Sequence, residues 1–273
     1  MAMVAPNASA PRDAWLSAYG PCAVVTGASD GIGRALALEL AAKGFELLLV
    51  ARRAVALAEV AAECERLYGT RATILAADLA TPAGIIAALE ASERLDVGLF
   101  VAAAGFGTSG PFVDSELDVE LNMIDLNCRS LAHMAHAFGR RFAVRRRGGI
   151  VLMSSLVAFQ GVPRAANYAA TKAYVQSLAE GLAAELRPLG VAVLASAPGP
   201  VKSGFGARAG MAITQGQTPA EVAAGTLKAL GRRTTVRPGR LAKLLEWSLS
   251  PLPRWARVYA MGRVMAGLAV ART

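Results

Sequence analysis

The sequence is poor in cysteine, in histidine and in long apolar runs. Its three cysteines, Cys22, Cys64 and Cys128, lie far apart and form no C-x-x-C pair. This spacing offers neither a disulfide framework nor a structural zinc site. His133 and His136 are three residues apart, but no third ligand recurs near them. We therefore expect no metal site.

Signals for secretion or for membrane insertion are also missing. No apolar stretch approaches the roughly 18 residues that a spanning helix needs, and the first residues lack the charged start and apolar core of a secretory signal. A cytoplasmic protein in a reducing compartment is expected on these grounds.

Acidic residues are scarce towards the C-terminus. Residues 201–273 contain twelve Lys or Arg but only Glu221 and Glu246, an excess of ten positive charges, whereas the whole chain carries a formal charge of +9. Such an excess is typical of a solvated surface, but it also suits peripheral contact with an anionic membrane. We expect no nucleic-acid partner.

Short apolar runs alternate with helical patterns along most of the chain, in which 54% of the residues are hydrophobic. Strands are predicted at 22–26, 46–51, 72–76, 97–102, 150–153 and 191–195. Helices are predicted at 34–43, 54–68, around 118–142 and at 165–187. Alternation of this kind predicts an α/β fold with a doubly wound parallel sheet.

The pattern divides the chain into three parts. Residues 1–20 are rich in Ala and Pro without a sustained period, and they are predicted to be a flexible leader. Residues 21–240 form the predicted single dinucleotide-binding catalytic domain. Residues 241–273 are predicted to be a basic appendage of two short amphipathic helices, interrupted at Pro251 and Pro253.

A glycine-rich turn joins the first predicted strand to the first predicted helix. There the backbone of the segment TGASDGIG can approach a pyrophosphate, and the helix N-terminus supplies free N–H groups and a positive dipole end. A Rossmann-type dinucleotide site is therefore predicted. The expected cofactor contacts are Gly27, Ser29, Asp30, Gly31, Ile32 and Gly33.

The end of the second predicted strand indicates which nicotinamide cofactor is used. NAD-binding folds usually place a carboxylate there, but this chain has Arg52 and Arg53, which could pair with a 2′-phosphate. NADP(H) is therefore favoured over NAD(H), unless both arginines are only solvated. Asp78, with Leu79 beside it, is expected to contact the adenine; the alternative is that Asp78 caps the helix at Thr81.

Two residues four apart in a predicted helix could carry acid–base chemistry. Tyr168 and Lys172 would lie on one helix face, where the ammonium and an oxidised nicotinamide would favour the phenolate. The spacing alone also arises by chance on solvated helices. Ser155, which follows a predicted strand and lies thirteen residues before Tyr168, makes a catalytic role more specific.

Four motifs between about residues 22 and 205 resemble, in order, those of the short-chain dehydrogenase/reductase family. They are the turn 26–33, Ala104-Gly105, the set Ser155, Tyr168 and Lys172, and Pro198-Gly199-Pro200-Val201. The opening Tyr19-Gly20-Pro21 and the phrase Val50-Ala51-Arg52-Arg53 are similar to the branch that contains 3-oxoacyl and hydroxysteroid reductases.

The resemblance implies roles for the matching residues. Ser155 would bind the substrate oxygen, Tyr168 would transfer the proton, and Lys172 would hold the nicotinamide ribose and lower the pKa of the phenol. Asn127 would complete the set through a water molecule that leads to the lysine. The remaining cofactor contacts implied are Ala104, Gly105, Pro198, Gly199, Val201 and Ser203.

One departure concerns the loop after the fourth predicted strand. The family commonly has Asn-Asn-Ala-Gly there, whereas this chain has Ala102-Ala103-Ala104-Gly105, so the asparagine side chains that brace the sheet are missing. Residues 203–217 are predicted to form a mobile lid over the substrate; the alternative is a disordered surface loop without that role. Homodimers or homotetramers built on the helices that carry Asn127 and Tyr168 are also implied.

The function implied is NADP(H)-dependent interconversion of a carbonyl and a secondary alcohol. The substrate is expected to be a small apolar molecule, because apolar residues flank the predicted site. These residues are Leu156, Val157, Phe159, Val162 and Phe205. The alternative is a sensor or scaffold that binds NADP without turnover and contacts a membrane or a partner through its basic tail.

Overall fold

The computed structural model describes residues 12–211, 216–239 and 251–268. These residues form a single α/β domain around one parallel sheet, as the sequence predicts. The strands are β1 (Cys22–Thr26), β2 (Glu46–Ala51), β3 (Ala72–Ala76), β4 (Val97–Ala102), β5 (Gly148–Met153), β6 (Val191–Ser196) and β7 (Thr235–Val236). The six strand predictions are confirmed, whereas the two-residue edge strand β7 was not predicted.

The sheet has the strand order β3-β2-β1-β4-β5-β6-β7, and every pairing is parallel. From β1 the chain builds outwards first to one side, through β2 and β3, and then to the other, through β4 to β7. A crevice therefore opens between the carboxyl ends of β1 and β4, where ligands of doubly wound folds bind. Strands β1, β4 and β5 are buried throughout because helices cover both faces of the sheet.

Ten helices are present in the described part of the chain. They are α1 (Arg12–Tyr19), α2 (Gly31–Ala42), α3 (Ala54–Tyr68), α4 (Pro82–Glu93), α5 (Leu117–Ile124), α6 (Leu131–Arg145), α7 (Ala166–Leu186), α8 (Gly204–Arg208), α9 (Pro219–Ala229) and α10 (Arg254–Leu268). One face of the sheet packs against α1, α2, α3 and α9, and the other against α4, α6 and α7. None of the described helices is long and apolar enough to cross a membrane.

The prediction of a flexible leader over residues 1–20 is wrong for α1. Trp15 and Tyr19 are fully buried in the core, with their ring centroids 5.5 Å apart. The carbonyl oxygen of Tyr19 lies so close to β4 that Gly98 has no room for a side chain there. Residues 1–11 of the predicted leader lie outside the described residues.

The C-terminal appendage is part of the domain where it is described. Helix α10 packs on the segment after β5: Val258 lies beside Gly161, and Gly262 lies against Pro163. Met265 is buried in a small apolar cluster with Val162. The first of the two predicted appendage helices, before Pro251, lies outside the described residues.

Candidate active site

The glycine-rich turn leaves bare backbone at the start of α2. Gly27 and Gly31 have positive φ values of 66° and 55°, which favour glycine. A Cβ on Gly33 would lie 2.2 Å from the carbonyl oxygen of Gly27, so only glycine allows the turn to pack on its helix. The carboxylate of Asp30 caps α2 by accepting a hydrogen bond from Gly31 N at 2.6 Å. The turn and the positive helix end together form a cradle that suits a pyrophosphate.

Two arginines stand beside this cradle. The guanidinium of Arg53 donates to the carbonyl oxygen and hydroxyl of Ser29, at 3.2 Å and 3.3 Å. Arg52 is exposed and lines the same cavity. Both side chains therefore place positive charge beside the glycine-rich turn.

Asp78 follows β3, the strand next to β2, and lines the same cavity. Its Oδ1 accepts a hydrogen bond from Ala80 N at 3.0 Å. The side chain that caps α4 belongs to Thr81, which accepts from Gly84 N at 3.1 Å. Asp78 is therefore not the cap of this helix, and its carboxylate faces the cavity.

The loop after β4 is braced without the family's asparagines. The hydroxyl of Thr26 accepts hydrogen bonds from Ala103 N and Ala104 N, both at 3.1 Å, and donates to Val101 O at 3.3 Å. The first strand thus holds the loop by a side chain that sits at the start of the glycine-rich turn. The amides of Ala103 and Ala104 are therefore hydrogen-bonded although the asparagine side chains are missing.

Asn127 holds the other end of this loop. It lies in a π-helical segment, Asp125–Ser130, inserted between α5 and α6. Its Oδ1 accepts from Phe106 N at 3.1 Å, and its Nδ2 donates to Phe106 O and to the hydroxyl of Thr171 at 2.9 Å and 3.0 Å. The extra residue of a π-turn is common at functional sites, because it rotates one side chain out of the helical pattern.

Lys172 is buried on α7 and donates to the carbonyl oxygen of Met153 at 2.8 Å. Burial lowers the pKa of this ammonium to about 8 because it removes hydration from the charged form. Its Nζ lies 5.8 Å from the ring centroid of Tyr168, one helical turn away. The lysine and the phenol therefore lie on one face of α7, as their spacing predicts.

Burial acts on Tyr168 in the opposite direction. It raises the pKa of the phenol to about 12, while a hydrogen bond with Ser155 counteracts part of that rise. The family resemblance implies that Lys172 lowers this pKa, but burial is the largest influence on it and acts in the opposite direction. The phenol therefore stays protonated at neutral pH.

Nearly all of the predicted site residues meet in one cavity of about 530 Å³. The members of the predicted set that line it are Gly27, Ser29, Asp30, Gly31, Ile32, Gly33, Arg52, Arg53, Asp78, Leu79, Ala104, Gly105, Ser155, Tyr168, Lys172, Pro198, Gly199, Val201 and Ser203. Asn127 stands behind the wall, next to Gly105. The predicted apolar residues Leu156, Val157, Phe159 and Phe205 also line the cavity, whereas Val162 lies in the cluster under α10.

The predicted lid is described in part, because residues 212–215 lie outside the described residues. Helix α8 makes two contacts at the cavity: the ring centroids of Phe205 and Tyr168 are 5.5 Å apart, and Arg208 pairs with Asp30 at 2.9 Å. Ser203 caps α8 and lies against Gly31. This segment therefore contacts both the phenol and the cofactor cradle.

A buried carboxylate beside the site escaped the sequence analysis. Glu120 of α5 is 3% exposed. Its Oε1 accepts from the hydroxyl of Thr108 at 2.8 Å, and its Oε2 accepts from Nδ2 of Asn167 at 2.7 Å. It thereby joins the loop after β4 to the residue that precedes Tyr168. No local sequence pattern indicates a role for Glu120, because Thr108 and Asn167 are distant from it in the sequence.

Helix α10 is the second contribution that sequence reasoning missed. Met261, Val264 and Met265 line the cavity on the side away from the glycine-rich turn. The amphipathic pattern indicated a helix, but which surface its apolar side covers depends on tertiary packing.

Comparisons with known proteins agree with this geometry. The sequence model of the short chain dehydrogenase family matches residues 21–212. The chain is 32% identical over 176 residues to a 7beta-hydroxysteroid dehydrogenase of Clostridium sardiniense, which corresponds to 64% of this chain and 67% of that enzyme. It is 34% identical over 184 residues to the very-long-chain 3-oxoacyl-CoA reductase of Anas platyrhynchos, covering 66% of this chain and 59% of that one. Less than two thirds of the latter relative is therefore spanned.

A solved structure extends the likeness over most of the chain. A short-chain dehydrogenase from Sphingobium yanoikuyae, in complex with NADPH, superposes with a TM-score of 0.75 at 32% sequence identity. The superposition covers 85% of this chain and 93% of the other.

Proposed function

Since this chain belongs to the short-chain dehydrogenase family, we propose that it is an NADP(H)-dependent oxidoreductase that interconverts a ketone and a secondary alcohol on a bulky apolar substrate. One observation carries the proposal. Ser155, Tyr168 and Lys172 share a single cavity with the glycine-rich turn at one end and an apolar wall at the other. A protein that only senses the cofactor has no need for a buried phenol and ammonium at this place.

The residues of the cradle fit a dinucleotide phosphate. The backbone between Gly27 and Gly33 is bare where a pyrophosphate would approach, and Arg52 and Arg53 supply charge for a 2′-phosphate. When bound, the nicotinamide coenzyme supplies or accepts the hydride. Every other step is assigned to side chains of the protein.

Tyr168 is the proposed proton donor for carbonyl reduction. Its phenol is protonated at neutral pH, and Ser155 can donate a hydrogen bond to the same substrate oxygen. Lys172 uses one of its three N–H donors on Met153 O, which leaves two for the ribose or for a water molecule. Its charge stabilises the phenolate that remains after the proton has left.

Asn127 and Gly105 leave space for the water molecule that the family resemblance implies. A Cβ on Gly105 would lie 2.9 Å from Oδ1 of Asn127 and 3.5 Å from Nζ of Lys172. This gap between the amide and the ammonium is open because the residue is glycine. A water molecule there would be able to return a proton towards Tyr168 through Lys172.

The apolar wall selects the substrate and keeps water away from the phenol. Phe205, Met261 and Met265 face the cavity beyond Tyr168 and offer few polar contacts. The sizes of the substrates named for the two relatives, a hydroxysteroid and a very-long-chain acyl thioester, are consistent with such a wall. We accordingly propose ketones of steroid or long acyl type.

A substrate panel tests the function directly. Oxidation of NADPH is followed with steroid ketones, long-chain 3-oxoacyl thioesters and small ketones such as acetone. We expect turnover with members of the first two groups and a much lower kcat/KM with the small ketones, which leave the apolar wall unfilled. Tight NADPH binding without turnover on any of them would favour the sensor.

The cofactor preference has its own test. Arg53→Ala removes a charge-assisted contact to the 2′-phosphate, so we expect KM for NADPH to rise roughly 10- to 100-fold. KM for NADH, which lacks that phosphate, should change little. An equal rise for both cofactors would show that Arg53 only supports the turn through Ser29.

A further inference from the structure

Helix α10 has two different faces. Its inner face contributes Met261 and Met265 to the cavity wall and packs Gly262 against Pro163. The helix therefore forms part of the rim of the cavity, since Val264 both lines the cavity and is exposed. The fold does not explain why the outer face of this helix carries the residues that it does.

The outer face combines exposed aromatic and basic side chains. Trp255 is 74% exposed and Tyr259 is 65% exposed. These two residues and Arg263 are spaced four apart and form one stripe, in which the guanidinium of Arg263 donates to the hydroxyl of Tyr259 at 3.3 Å. Arg254 is exposed at the start of the helix, and residues 251–268 contain no Asp or Glu.

A second exposed apolar element is joined to the segment on which α10 packs. Phe112 and Val113 form a short turn in which Val113 is 88% exposed. The preceding Gly110 donates its N–H to the carbonyl oxygen of Arg164 at 2.9 Å. Arg164 directly follows Pro163, which touches α10. The turn and the helix thus border the same segment of the chain.

We propose that α10 docks the protein on an anionic lipid surface through the stripe Trp255, Tyr259 and Arg263, with Phe112 and Val113 inserting beside it. Tryptophan and tyrosine favour the boundary between headgroups and acyl chains, and arginine pairs with anionic headgroups. The excess of ten positive charges in residues 201–273 attracts such a surface. Docking brings the rim of the apolar cavity to the lipid in which apolar ketones are dissolved.

A second copy of this chain is a poorer occupant of the stripe. In a symmetric dimer each stripe would face an identical basic surface, and like charges in contact oppose association. The lipid proposal goes beyond the oxidoreductase function. Its test measures vesicle binding and not enzyme turnover, so one proposal can fail while the other holds.

Vesicle flotation with the full chain tests the proposal. The probes are vesicles of phosphatidylcholine alone and of phosphatidylcholine mixed with phosphatidylglycerol. We expect flotation with the anionic vesicles, which weakens as salt is raised, and little with the neutral ones. The double variant W255S/Y259S should lower partitioning about tenfold or more because it removes both interfacial anchors.

A matched control removes exposed apolar side chains elsewhere. Ile86 on α4 and Val144 on α6 are also exposed, and I86S/V144S should float as the wild type does. Unchanged thermal melting would show that both double variants are folded.

Three results would overturn the proposal. They are failure of the wild type to float with anionic vesicles at low salt, unchanged flotation of W255S/Y259S, and equal loss of flotation in I86S/V144S. A lower molecular mass of W255S/Y259S in lipid-free solution would assign the stripe to a second copy instead.

Discussion

At the residue scale, the site depends on Tyr168 and Lys172, whose pKa values are moved in opposite directions. Burial disfavours the charged form of each side chain, so the pKa of Tyr168 rises to about 12 while that of Lys172 falls to about 8. At neutral pH the phenol is neutral and the ammonium is charged. In this state the phenol can donate a proton, and the ammonium can stabilise the phenolate that is left.

These shifts predict different pH profiles for the two directions. Reduction needs the neutral phenol, so its kcat/KM should be flat from about pH 6 and fall as Lys172 loses its proton near pH 8. Oxidation needs the phenolate, whose fraction rises about tenfold per pH unit below its pKa, so its kcat/KM should rise between about pH 6 and 8. Steady-state rates with NADPH and ketone measure the profile of reduction, and those with NADP⁺ and alcohol measure the profile of oxidation. An oxidation rate that is independent of pH would contradict the assignment.

Glu120 shows how a residue outside the cavity can position Tyr168. None of the ion pairs formed by the described residues involves this carboxylate, which is held by the neutral groups of Thr108 and Asn167. Its bonds join the start of α7 to the loop after β4.

Removal of this carboxylate should slow turnover more than it weakens binding. Glu120→Ala removes the acceptor of the Thr108 hydroxyl and one of the two acceptors of the Asn167 amide, and it leaves a cavity. We therefore expect a loss of roughly 1–3 kcal/mol in the free energy of unfolding and a lower kcat. Kd for NADPH should stay within about twofold, since Glu120 lies away from the cradle. Glu120→Gln is the matched control: its amide can donate to a reoriented Thr108 hydroxyl and restore kcat. An unchanged kcat in Glu120→Ala would show that the network has no positioning role.

Tyr168 and Lys172 could be proposed from the sequence because their spacing places them on one helix face, whereas the roles of Ser155 and Asn127 rest on the family resemblance. The network at Glu120 could not be proposed, because its three members come from separate elements and meet only in the folded chain.

At the element scale, strands were the most predictable feature. Five-residue apolar runs such as Cys22–Thr26 are buried on both faces, so their pattern is continuous and their ends coincide with turn residues. The π-helical segment Asp125–Ser130 had no such signal, because its backbone differs from an α-helix by a single inserted residue. Strand β7 is too short to show a period.

Helix α1 escaped prediction because only Trp15 and Tyr19 mark its buried face in eight residues. Its stability comes from tertiary contacts, among them the ammonium of Lys43, which lies 4.8 Å from the ring centroid of Trp15. A short helix with such contacts depends on the core that it covers.

Truncation of this tryptophan tests the revised view of the leader. Trp15→Ala should lower the free energy of unfolding by about 3–5 kcal/mol, the usual cost of removing a fully buried large aromatic side chain. Ser17→Ala, on the exposed side of the same helix, should change it by no more than about 0.5 kcal/mol. Urea denaturation measures both. If Trp15→Ala were as stable as the wild type, α1 would be only loosely attached to the domain.

At the scale of the whole molecule, the cavity joins a turn near the start of the described chain to its last described helix. The cradle comes from the turn after β1, and the opposite wall comes from α10. The order of strands predicted the first of these positions, since the crevice of a doubly wound sheet is fixed by its topology. The strand order could not predict the position of the wall from α10, because this helix reaches the cavity by packing against loops.

Exposed apolar residues on α5 and α7 support the proposal of a homo-oligomer. Leu117, Leu121 and Tyr174 are all exposed, and the two helices contact each other. We expect Leu121→Asp to lower the molecular mass of the assembly by burying a charge at the contact. Light scattering coupled to size exclusion measures it, with Val144→Asp as the control on a distant exposed position. A monomeric wild type would contradict the proposal.

The most direct test of the account is the turnover of Tyr168→Phe, in which one hydroxyl is removed and the ring is kept beside Phe205. We expect kcat for ketone reduction to fall by about 10² to 10⁴, the contribution of a positioned proton donor. Kd for NADPH, measured by fluorescence titration, should stay near that of the wild type. Turnover equal to that of the wild type would contradict the assignment of Tyr168 as the proton donor.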